Sequence, residues 1–252
     1  MKPEKVAVIC GVLGTVERLK RLVGSVKICL PACQFIVVGQ QLSDADARWC
    51  KRQGLQLIRS GEPLSFAKFN NLAAKQASGD WLLLLNDDLE LKPSFWQGMV
   101  EMAELDYDVL GAKLLYPDGK IQHYGKWFSL DWYPFHVLRH QPADHPQSLR
   151  PRAFPDVTFA CAMVRKSLWD ELGGLDESYI NGFEDDDFCL KARDAGAAIG
   201  VHHLALATHW ESQTTGQDNE NKERQWRLFH REWVMSGRIQ WALGMYQGWK
   251  FI

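Results

Sequence analysis

The chain has 252 residues, 46% of them hydrophobic, which is enough apolar material for the core of one large domain. Its formal net charge of −2 gives no electrostatic reason to expect a nucleic-acid partner. We find no secretory signal pattern and no apolar run long enough to span a bilayer, so we expect a cytoplasmic protein.

The first third of the chain alternates between strand and helix patterns. Short apolar runs at 5–10, 34–39, 55–60 and 81–86 predict four strands. Amphipathic stretches between them predict three helices, at 15–26, 43–53 and 65–78. This alternation implies a mostly parallel, Rossmann-like α/β sheet with helices on both faces. Such sheets bind their ligands beyond the carboxyl ends of the strands.

The pattern becomes mixed after the fourth strand. A helix at 94–105 precedes a hairpin whose two strands flank a Pro-Asp-Gly turn at 117–119. Residues 127–155 show no clear periodicity and predict a long loop, which in a compact domain is usually functional or disordered. A further strand at 157–164, a helix at 166–174 and an acidic helix at 183–196 follow.

Two acidic clusters stand out. The run WLLLLNDD at 81–88 ends a predicted buried strand in two adjacent carboxylates, and EDDD at 184–187 opens a predicted helix. Each has an ordinary explanation, a solvated turn for the first and a favourable helix-dipole position for the second. Together they predict a site, because Mg²⁺ and Mn²⁺ bind carboxylate oxygens and substrate phosphates while a second carboxylate can serve as a base.

Several motifs in order resemble the family 2 glycosyltransferases of the GT-A fold, in particular the bacterial rhamnosyltransferase-like and O-antigen-type subgroup. They are FAKFNNLAAKQASGDWLLLLNDDLEL, GAKLLYPDGKIQHYG, GGLDESYINGFEDDDFCLKARDAG and ATHW, within residues 5–212. The resemblance implies a GT-A domain at 1–215 with a C-terminal helical appendage at 216–252. It also implies metal-dependent, inverting transfer from a nucleotide-sugar donor to a glycan or lipid-linked glycan acceptor in cell-surface polysaccharide synthesis.

The resemblance also implies roles for single residues. Asp88, in the D-x-D-type motif, and His209 correspond to ligands of Mn²⁺ or Mg²⁺, and we expect Asp88 to face solvent. Asp185 corresponds to the general base. The candidate donor contacts are Asn86, Asp87, Gln40, Lys68 and Asn71. The candidate acceptor contacts are Glu184, Asp187 and Trp127.

The sequence departs from the family pattern after the second strand. Gly39 stands where the family usually has an aspartate that contacts the nucleoside, which leaves the donor nucleotide open. Gln40 or Gln41 could bond the base instead, since an amide both donates and accepts. One rival hypothesis is therefore a GT-A-like module that binds a glycan or nucleotide sugar without transferring it. A nucleotidyltransferase is a second rival, but residues 10–21 match its glycine- and basic-rich loop poorly.

The C-terminal segment is basic and amphipathic. Residues 222–252 contain six Lys or Arg against two Glu, so 6 − 2 gives +4. Helical spacing puts Trp226, Phe229 and Trp233 opposite a face formed by Arg224, Arg227, Arg231 and Arg238. Two hypotheses stay open. The helix contacts an anionic membrane, at the inner face of the plasma membrane, or its aromatic residues pack on the catalytic domain.

Overall fold

The N-terminal part of the fold is the predicted β/α alternation. In a computed structural model, which describes residues 1–210 and 219–243, β1 runs parallel to β2 and β4, and β2 runs parallel to β3. Ser43 and Ser65, the first residues of two predicted helices, cap the second and third helices. The strands are β1 Val6–Leu13, β2 Gln34–Gln40, β3 Gln56–Ser60 and β4 Trp81–Leu85, and the helices are α1 Glu17–Cys29, α2 Asp44–Arg52 and α3 Phe66–Ala74.

The second part adds antiparallel and parallel strands to the same sheet. Its elements are β5 Leu89–Leu91, α4 Phe95–Glu104, β6 Val109–Leu115, β7 Ile121–His123, β8 Lys126–Phe128, β9 Pro134–His136, β10 Arg152–Ala153, β11 Cys161–Arg165, α5 Lys166–Leu172, α6 Glu184–Asp194 and β12 Ile199–His209. The strand order is β10-β12-β6-β11-β4-β1-β2-β3, with β5 beside β12 and β7 beside β6. Because β11 is antiparallel to both neighbours, the sheet is mixed.

The apolar core lies on both faces of this sheet. Leu83 and Leu85 of β4 belong to the cluster under α1 and α4, whereas Leu82 and Leu84 belong to the cluster under α3, α5 and α6. Successive side chains of a strand point to opposite faces, so a strand covered on both sides is apolar at every position. This burial explains the continuous run before Asn86.

The prediction of an irregular loop at 127–155 is wrong in part. β8 and β9 form an antiparallel ribbon in which Trp127 lies opposite Phe135, and β10 pairs with the edge of the main sheet. Strands of two or three residues are too short for an alternating pattern to emerge. The strand predicted at 157–164 forms only from Cys161.

The C-terminal helices pack on the sheet domain. They are α7 Asn219–Phe229, a π-helical turn His230–Met235 and α8 Arg238–Ala242. Phe229 and Trp233 are fully buried in a cluster with Phe128, Phe183 and Leu190. Gly237, with φ +75°, breaks the helix. The aromatic face therefore packs inward. The predicted boundary at 215–216 and the tail beyond residue 243 lie outside the described residues.

The arginine face predicted for this segment is shorter than expected. Arg224, Arg227 and Arg231 are exposed on one side of the helix. Arg238 follows the break, lies 4.1 Å from the centre of the Trp233 ring and pairs with Glu232. Over the part of the chain that the structure describes, no helix is both long and apolar enough to cross a membrane.

Candidate active site

The first half of the site lies where β4 and β12 end. The antiparallel pairing of β5 with β12 sets His209 opposite Leu89, directly after Asp88. His209 Nε2 lies 3.0 Å from Asp88 Oδ1, and the Trp210 N–H donates to the Asp88 carbonyl at 3.2 Å. Both side chains are mostly buried, with 8% of His209 and 11% of Asp88 exposed. The expectation that Asp88 faces solvent is therefore wrong, because β5 turns the chain back against the sheet.

Gln122 determines how His209 faces Asp88. Gln122 Oε1 lies 2.7 Å from His209 Nδ1, and a carbonyl oxygen can only accept, so Nδ1 carries the proton. Nε2 then faces Asp88 Oδ1, which is buried. A ring nitrogen and a carboxylate oxygen that face each other can share a proton, and a divalent cation can take the place of that proton. This arrangement fits a divalent metal, with a neighbouring amide fixing the histidine as in many metal sites.

The electrostatics of Asp88 agree with a ligand role. Burial acts to raise the pKa of Asp88, but the contact with His209 outweighs it, so the pKa lies below its ordinary value and the carboxylate is ionised at neutral pH. Within residues 1–210 and 219–243, no group of three His, Cys, Asp or Glu side chains could hold a metal by itself. Asp88 and His209 would therefore hold the ion with oxygens of a bound phosphate or water.

Arg18 compensates the second carboxylate of the pair. Its guanidinium donates to both oxygens of Asp87, with Nε–O distances of 3.1 and 3.2 Å and 2.9 Å from its terminal nitrogen. The candidate donor contact Asp87 is thus tied to α1. Asn86, the third member of the motif, lies between the two halves of the site: its N–H donates to the Ala160 carbonyl at 2.9 Å, and its Nδ2 lies 3.4 Å from His209 Nε2.

The second half of the site centres on Asp185 at the start of α6. Asp185 Oδ2 accepts a hydrogen bond from Lys126 Nζ at 2.9 Å and another from the Phe159 N–H at 3.2 Å. Burial acts to raise the pKa of Asp185, but the Lys126 charge lowers it below its ordinary value. Phe159 and Ala160 are consecutive, and they bond Asp185 and Asn86 respectively. The segment before β11 therefore joins the two acidic clusters that the sequence separates by almost 100 residues.

The Lys126 ammonium contacts three carboxyl groups. Its buried ammonium lies 2.9 Å from Asp185 Oδ2, 2.9 Å from Asp186 Oδ1 and 3.7 Å from Asp156 Oδ2. Burial and the nearby Asp156 charge raise the pKa of Asp186 well above its ordinary value. Asp185 is the partly exposed member, with 17% of its side chain open to solvent. Asp185 is therefore the carboxylate that can meet a ligand.

Comparison with known proteins identifies the family. The family model for glycosyl transferase family 2 matches residues 13–173, which is more than half of the chain. The chain belongs to glycosyl transferase family 2.

The curated relatives of this family 2 chain are larger proteins. It is 33% identical over 178 residues to protein y4gI of Sinorhizobium fredii, covering 68% of this chain and 20% of y4gI. It is 30% identical over 181 residues to the O-antigen biosynthesis protein RfbC of Myxococcus xanthus, covering 68% of this chain and 14% of RfbC. The chain thus spans a fifth or less of these two relatives.

Solved structures share the GT-A glycosyltransferase fold at low identity. GalNAc-T7 with UDP, GalNAc and Mn²⁺ matches with a TM-score of 0.71 and 12% identity, covering 91% of this chain and 48% of that chain. The mannosyltransferase PcManGT of Pyrobaculum calidifontis, with GDP-Man and Mn²⁺, gives a TM-score of 0.61 at 13% identity, with coverages of 84% and 59%. The fold class predicted from sequence is confirmed.

Two of the predicted acceptor contacts have structural partners in this family 2 chain. Asp187 is buried, accepts from Trp233 Nε1 at 2.8 Å and pairs with Lys191 at 2.7 Å. Glu184 is also buried, and its Oε2 accepts from the Gly182 N–H at 2.5 Å. Both side chains point into the protein because α6 is covered by the C-terminal helices. Both side chains are buried, whereas Trp127 is 39% exposed on the β8–β9 ribbon, and the acceptor contacts of all three stay predictions.

The predicted donor contacts are similarly divided. Asn71 bridges α3 to the segment after α5, because it donates to the Leu175 carbonyl at 2.8 Å and accepts from the Leu175 N–H at 2.9 Å. These bonds tie α3 to the segment after α5, and the donor contact of Asn71 stays a prediction. Gln40 is buried and uses Oε1 to accept from the Leu64 N–H at 2.5 Å. Lys68 is exposed on α3 and stays a prediction.

The structure explains the departure at Gly39. A Cβ atom at this position would overlap the side chain of Leu42 and crowd Leu57. A side chain larger than glycine at this position would therefore require Leu42 and Leu57 to move.

No sequence motif indicates a role for Arg18, Gln122, Lys126 or Asp156. Each is isolated in sequence from the residue that it orients, and an isolated lysine or glutamine in a strand pattern has no spacing that predicts its partner. Gln122 of β7 and Lys126 of β8 are polar residues at buried positions. Because buried polar side chains usually have a bonding partner, a prediction of strands at these positions would draw attention to both residues.

Proposed function

We propose that this chain catalyses metal-dependent, inverting transfer of a hexosyl unit from a nucleotide-sugar donor to a hydroxyl of a glycan acceptor, in cell-surface polysaccharide synthesis. Membership of family 2 supports glycosyl transfer. The relative RfbC is named for O-antigen biosynthesis, and a relative in Haloferax volcanii, Agl10, is named as a glycan biosynthesis hexosyltransferase at 23% identity. Both names support a polysaccharide context.

One observation carries the proposal. A cation cradle at Asp88 and His209 and a partly exposed carboxylate at Asp185 are linked through the consecutive residues Phe159 and Ala160. A bound Mn²⁺ or Mg²⁺ would stabilise the negative charge that develops on the departing diphosphate. Asp185 would accept the proton of the attacking hydroxyl, as general-base catalysis of this transfer requires.

The β8–β9 ribbon is the proposed acceptor platform. Trp127 and Phe135 lie opposite each other across the ribbon and are 39% and 45% exposed. Their neighbour Lys126 turns to the other side of the ribbon and bonds Asp185. These aromatic faces suit the apolar C–H face of a pyranose, so a part of the acceptor remote from the reacting hydroxyl would stack on them, across the ribbon from the bond between Lys126 and Asp185.

Membrane contact is a finer part of the proposal. Because Phe229 and Trp233 are buried, contact with a membrane that carries a lipid-linked acceptor would depend on Arg224, Arg227 and Arg231. Such contact is electrostatic and weakens with salt. Co-sedimentation with anionic vesicles at low salt, compared with a triple Arg→Glu variant, tests it. A wild-type chain that stays in the supernatant would remove this part of the proposal.

A screen of nucleotide sugars tests the function. Thermal stabilisation and sugar transfer are measured for each donor, with Mn²⁺ and with excess chelator. Asp88→Asn keeps the size of the side chain but weakens the cation cradle, so it should lose metal-dependent donor binding and transfer. Full activity of this variant, or of the wild type in chelator, would contradict metal dependence.

The same screen distinguishes an enzyme from a binding module. The binding module is the second candidate because Gly39 stands where the family usually has an aspartate that contacts the nucleoside. Asp185→Asn should leave donor affinity nearly unchanged and lower kcat by about 10²–10⁴. Determining the anomeric configuration of the product by NMR tests inversion. A wild-type chain that binds a donor with metal but transfers sugar to no acceptor would support the binding module.

A further inference from the structure

Lys126 has a place in the site that its sequence context does not predict. We infer that Lys126 is a positioning residue, which clamps one oxygen of Asp185 and leaves the other, Oδ1, to receive the acceptor's proton. The inference rests on the proposed function, because it assigns a role within the same transfer reaction.

The hydrogen bonds of Asp185 distinguish its two oxygens. Oδ2 accepts from Lys126 Nζ at 2.9 Å and from the Phe159 N–H at 3.2 Å. Oδ1 accepts one bond, from the Asp186 N–H at 3.0 Å. A carboxylate oxygen accepts about two strong hydrogen bonds, so Oδ2 is saturated and Oδ1 retains a lone pair.

Burial makes this clamp rigid. Only 6% of the Lys126 side chain is exposed, and its backbone N–H bonds the Asp156 carbonyl at 2.8 Å. β8 thus holds the lysine from its backbone as well as from its ammonium. A charge-assisted bond in such a protected place is stronger and shorter than one at the surface.

The three carboxyl groups around Lys126 differ in the direction of their pKa shifts. Burial raises the pKa of Asp156, and burial together with Asp156 raises that of Asp186. Lys126 acts to lower the pKa of all three acids, but only that of Asp185 lies below its ordinary value. The titratable groups around Asp185 are Lys126 on β8, His136 on β9, Asp156 before β11, and Glu184, Asp186 and Cys189 on α6.

The transfer step is balanced with Oδ1 as the proton acceptor. The acceptor hydroxyl oxygen bonds to the anomeric carbon of the donor sugar. The bond from that carbon to the phosphate oxygen breaks, and its electron pair leaves with the nucleoside diphosphate. The hydroxyl proton moves to Asp185 Oδ1, while Lys126 and Phe159 continue to hold Oδ2.

Two measurements on Lys126→Met test the clamp. NMR titration of ¹³C-carboxyl-labelled aspartate, with the Asp185 signal assigned through Asp185→Asn, should show the pKa of Asp185 raised by about 1–3 units, as expected on removing an adjacent cation. The acid limb of the pH profile of kcat/KM should move to higher pH by a similar amount, and the KM for the donor should change little. Lys126→Arg, which keeps the charge, should restore much of the wild-type profile.

Two further variants make the test specific. Lys126→Met/Asp156→Asn removes one positive and one negative charge, and it replaces the single variant if that one does not fold. Lys113→Met removes another buried lysine, whose Nζ bonds the Ala143 carbonyl at 2.6 Å and Ser148 Oγ at 2.9 Å. It should lower stability without moving the pKa of Asp185 or the acid limb.

The outcomes separate the clamp from the function. An Asp185 pKa that is the same in wild type and in the folded Lys126 variants would overturn the inference. So would an equal shift in Lys113→Met, because the effect would then be general to buried lysines. Absence of transfer by the wild type would contradict the proposed function, and the NMR titration would still decide whether Lys126 holds Asp185 ionised.

Discussion

Asp87 and Asp88 are adjacent in sequence, yet each is compensated by a different part of the molecule. Arg18 of α1 binds both oxygens of Asp87, while Asp88 faces His209 at the end of β12. Successive residues after a strand point in opposite directions, which allows two like charges to be neighbours without sharing one partner. Asp87 is thereby fixed to α1, and Asp88 is held against His209, where we propose that a cation binds.

Glu184 should make stability depend on pH. Burial, and then the charge of Asp185, raise the pKa of Glu184 to about 7 from 4.5. Below pH 4.5 the group is protonated in both states, and between there and pH 7 only the unfolded chain loses its proton, so stability falls as pH rises. Glu184→Gln removes the ionisable group and with it this fall in stability. The variant should gain up to about 3 kcal/mol relative to wild type above pH 7.

Urea unfolding of both proteins at several pH values measures this difference. The gain should shrink as the pH is lowered from 7 towards 4.5, because the wild-type carboxyl then becomes neutral as well. A difference that stays constant over this range would show that Glu184 is ionised in the folded protein.

At the residue scale, sequence motifs indicate the candidate site residues but not the residues that support them. Asn86, Asp88, Asp185 and His209 belong to motifs whose spacing is visible in one chain. Their partners lie far away in sequence, as with Arg18, 69 residues from Asp87. Burial was also misjudged for Asp187, whose carboxylate is covered by Trp233 from a helix that the sequence leaves free to lie elsewhere.

Among the elements, α4 makes an unusually close contact with β12. A Cβ atom at Gly98 would overlap the backbone nitrogen of Ala205, so the helix can reach the strand only because this residue lacks a side chain. Helix propensity alone favours alanine over glycine by about 1 kcal/mol. Close packing opposes this preference, because the β12 backbone cannot move to make room for a methyl group as a flexible side chain could.

We therefore expect opposite signs for two similar substitutions. Gly98→Ala should destabilise the protein by about 1–3 kcal/mol, the usual cost of overpacking. Gly24→Ala, in α1 with open space around the new methyl group, should stabilise it by about 0.5–1 kcal/mol. Denaturant unfolding measures both changes. Equal stabilisation by the two variants would mean that α4 does not pack on β12 at this distance.

Element prediction was accurate where patterns were long. The four parallel strands and the caps at Ser43 and Ser65 followed from apolar runs and turn chemistry. The ribbon at Lys126–Phe128 and Pro134–His136 did not, because its stability depends on tertiary contacts such as the bond from Lys126 to Asp185. Local propensity carries no information on such contacts.

On the scale of the whole molecule, strand order brings the two acidic clusters together. The alternation in the sequence predicts parallel neighbours, but nothing local predicts that β11 inserts antiparallel between β4 and β6. That insertion carries Phe159 and Ala160 into the site. The resemblance to the family implies that the two clusters belong to one site, because it rests on the order of several motifs along the chain and not on local patterns.

The C-terminal helices form a structural part of the domain. The indole of Trp233 donates to Asp187, and Gln225 Oε1 accepts from the Ile180 N–H at 3.0 Å. Arg193 of α6 donates to the Ala242 carbonyl at 2.7 Å. These bonds reach the helix that begins with the proposed base, so the appendage and the active site share α6.

Removal of the C-terminal segment should therefore disrupt the domain and not merely shorten it. A chain ending at residue 215 would expose Phe128, Phe183 and Leu190, which now pack against Phe229 and Trp233. Burial of one large apolar side chain contributes about 1.5–3 kcal/mol, and a small domain has only about 5–15 kcal/mol in total. We expect the truncated chain to aggregate or to melt far below the full chain in calorimetry. Trp233→Phe removes the N–H bond to Asp187 and part of the buried ring but keeps an aromatic side chain; loss of the bond alone should cost about 1–3 kcal/mol, and the domain should stay folded. If the full chain melted in two separate transitions, and the truncated chain retained the higher one, the segment would be an independent appendage and the packing described here would not support α6.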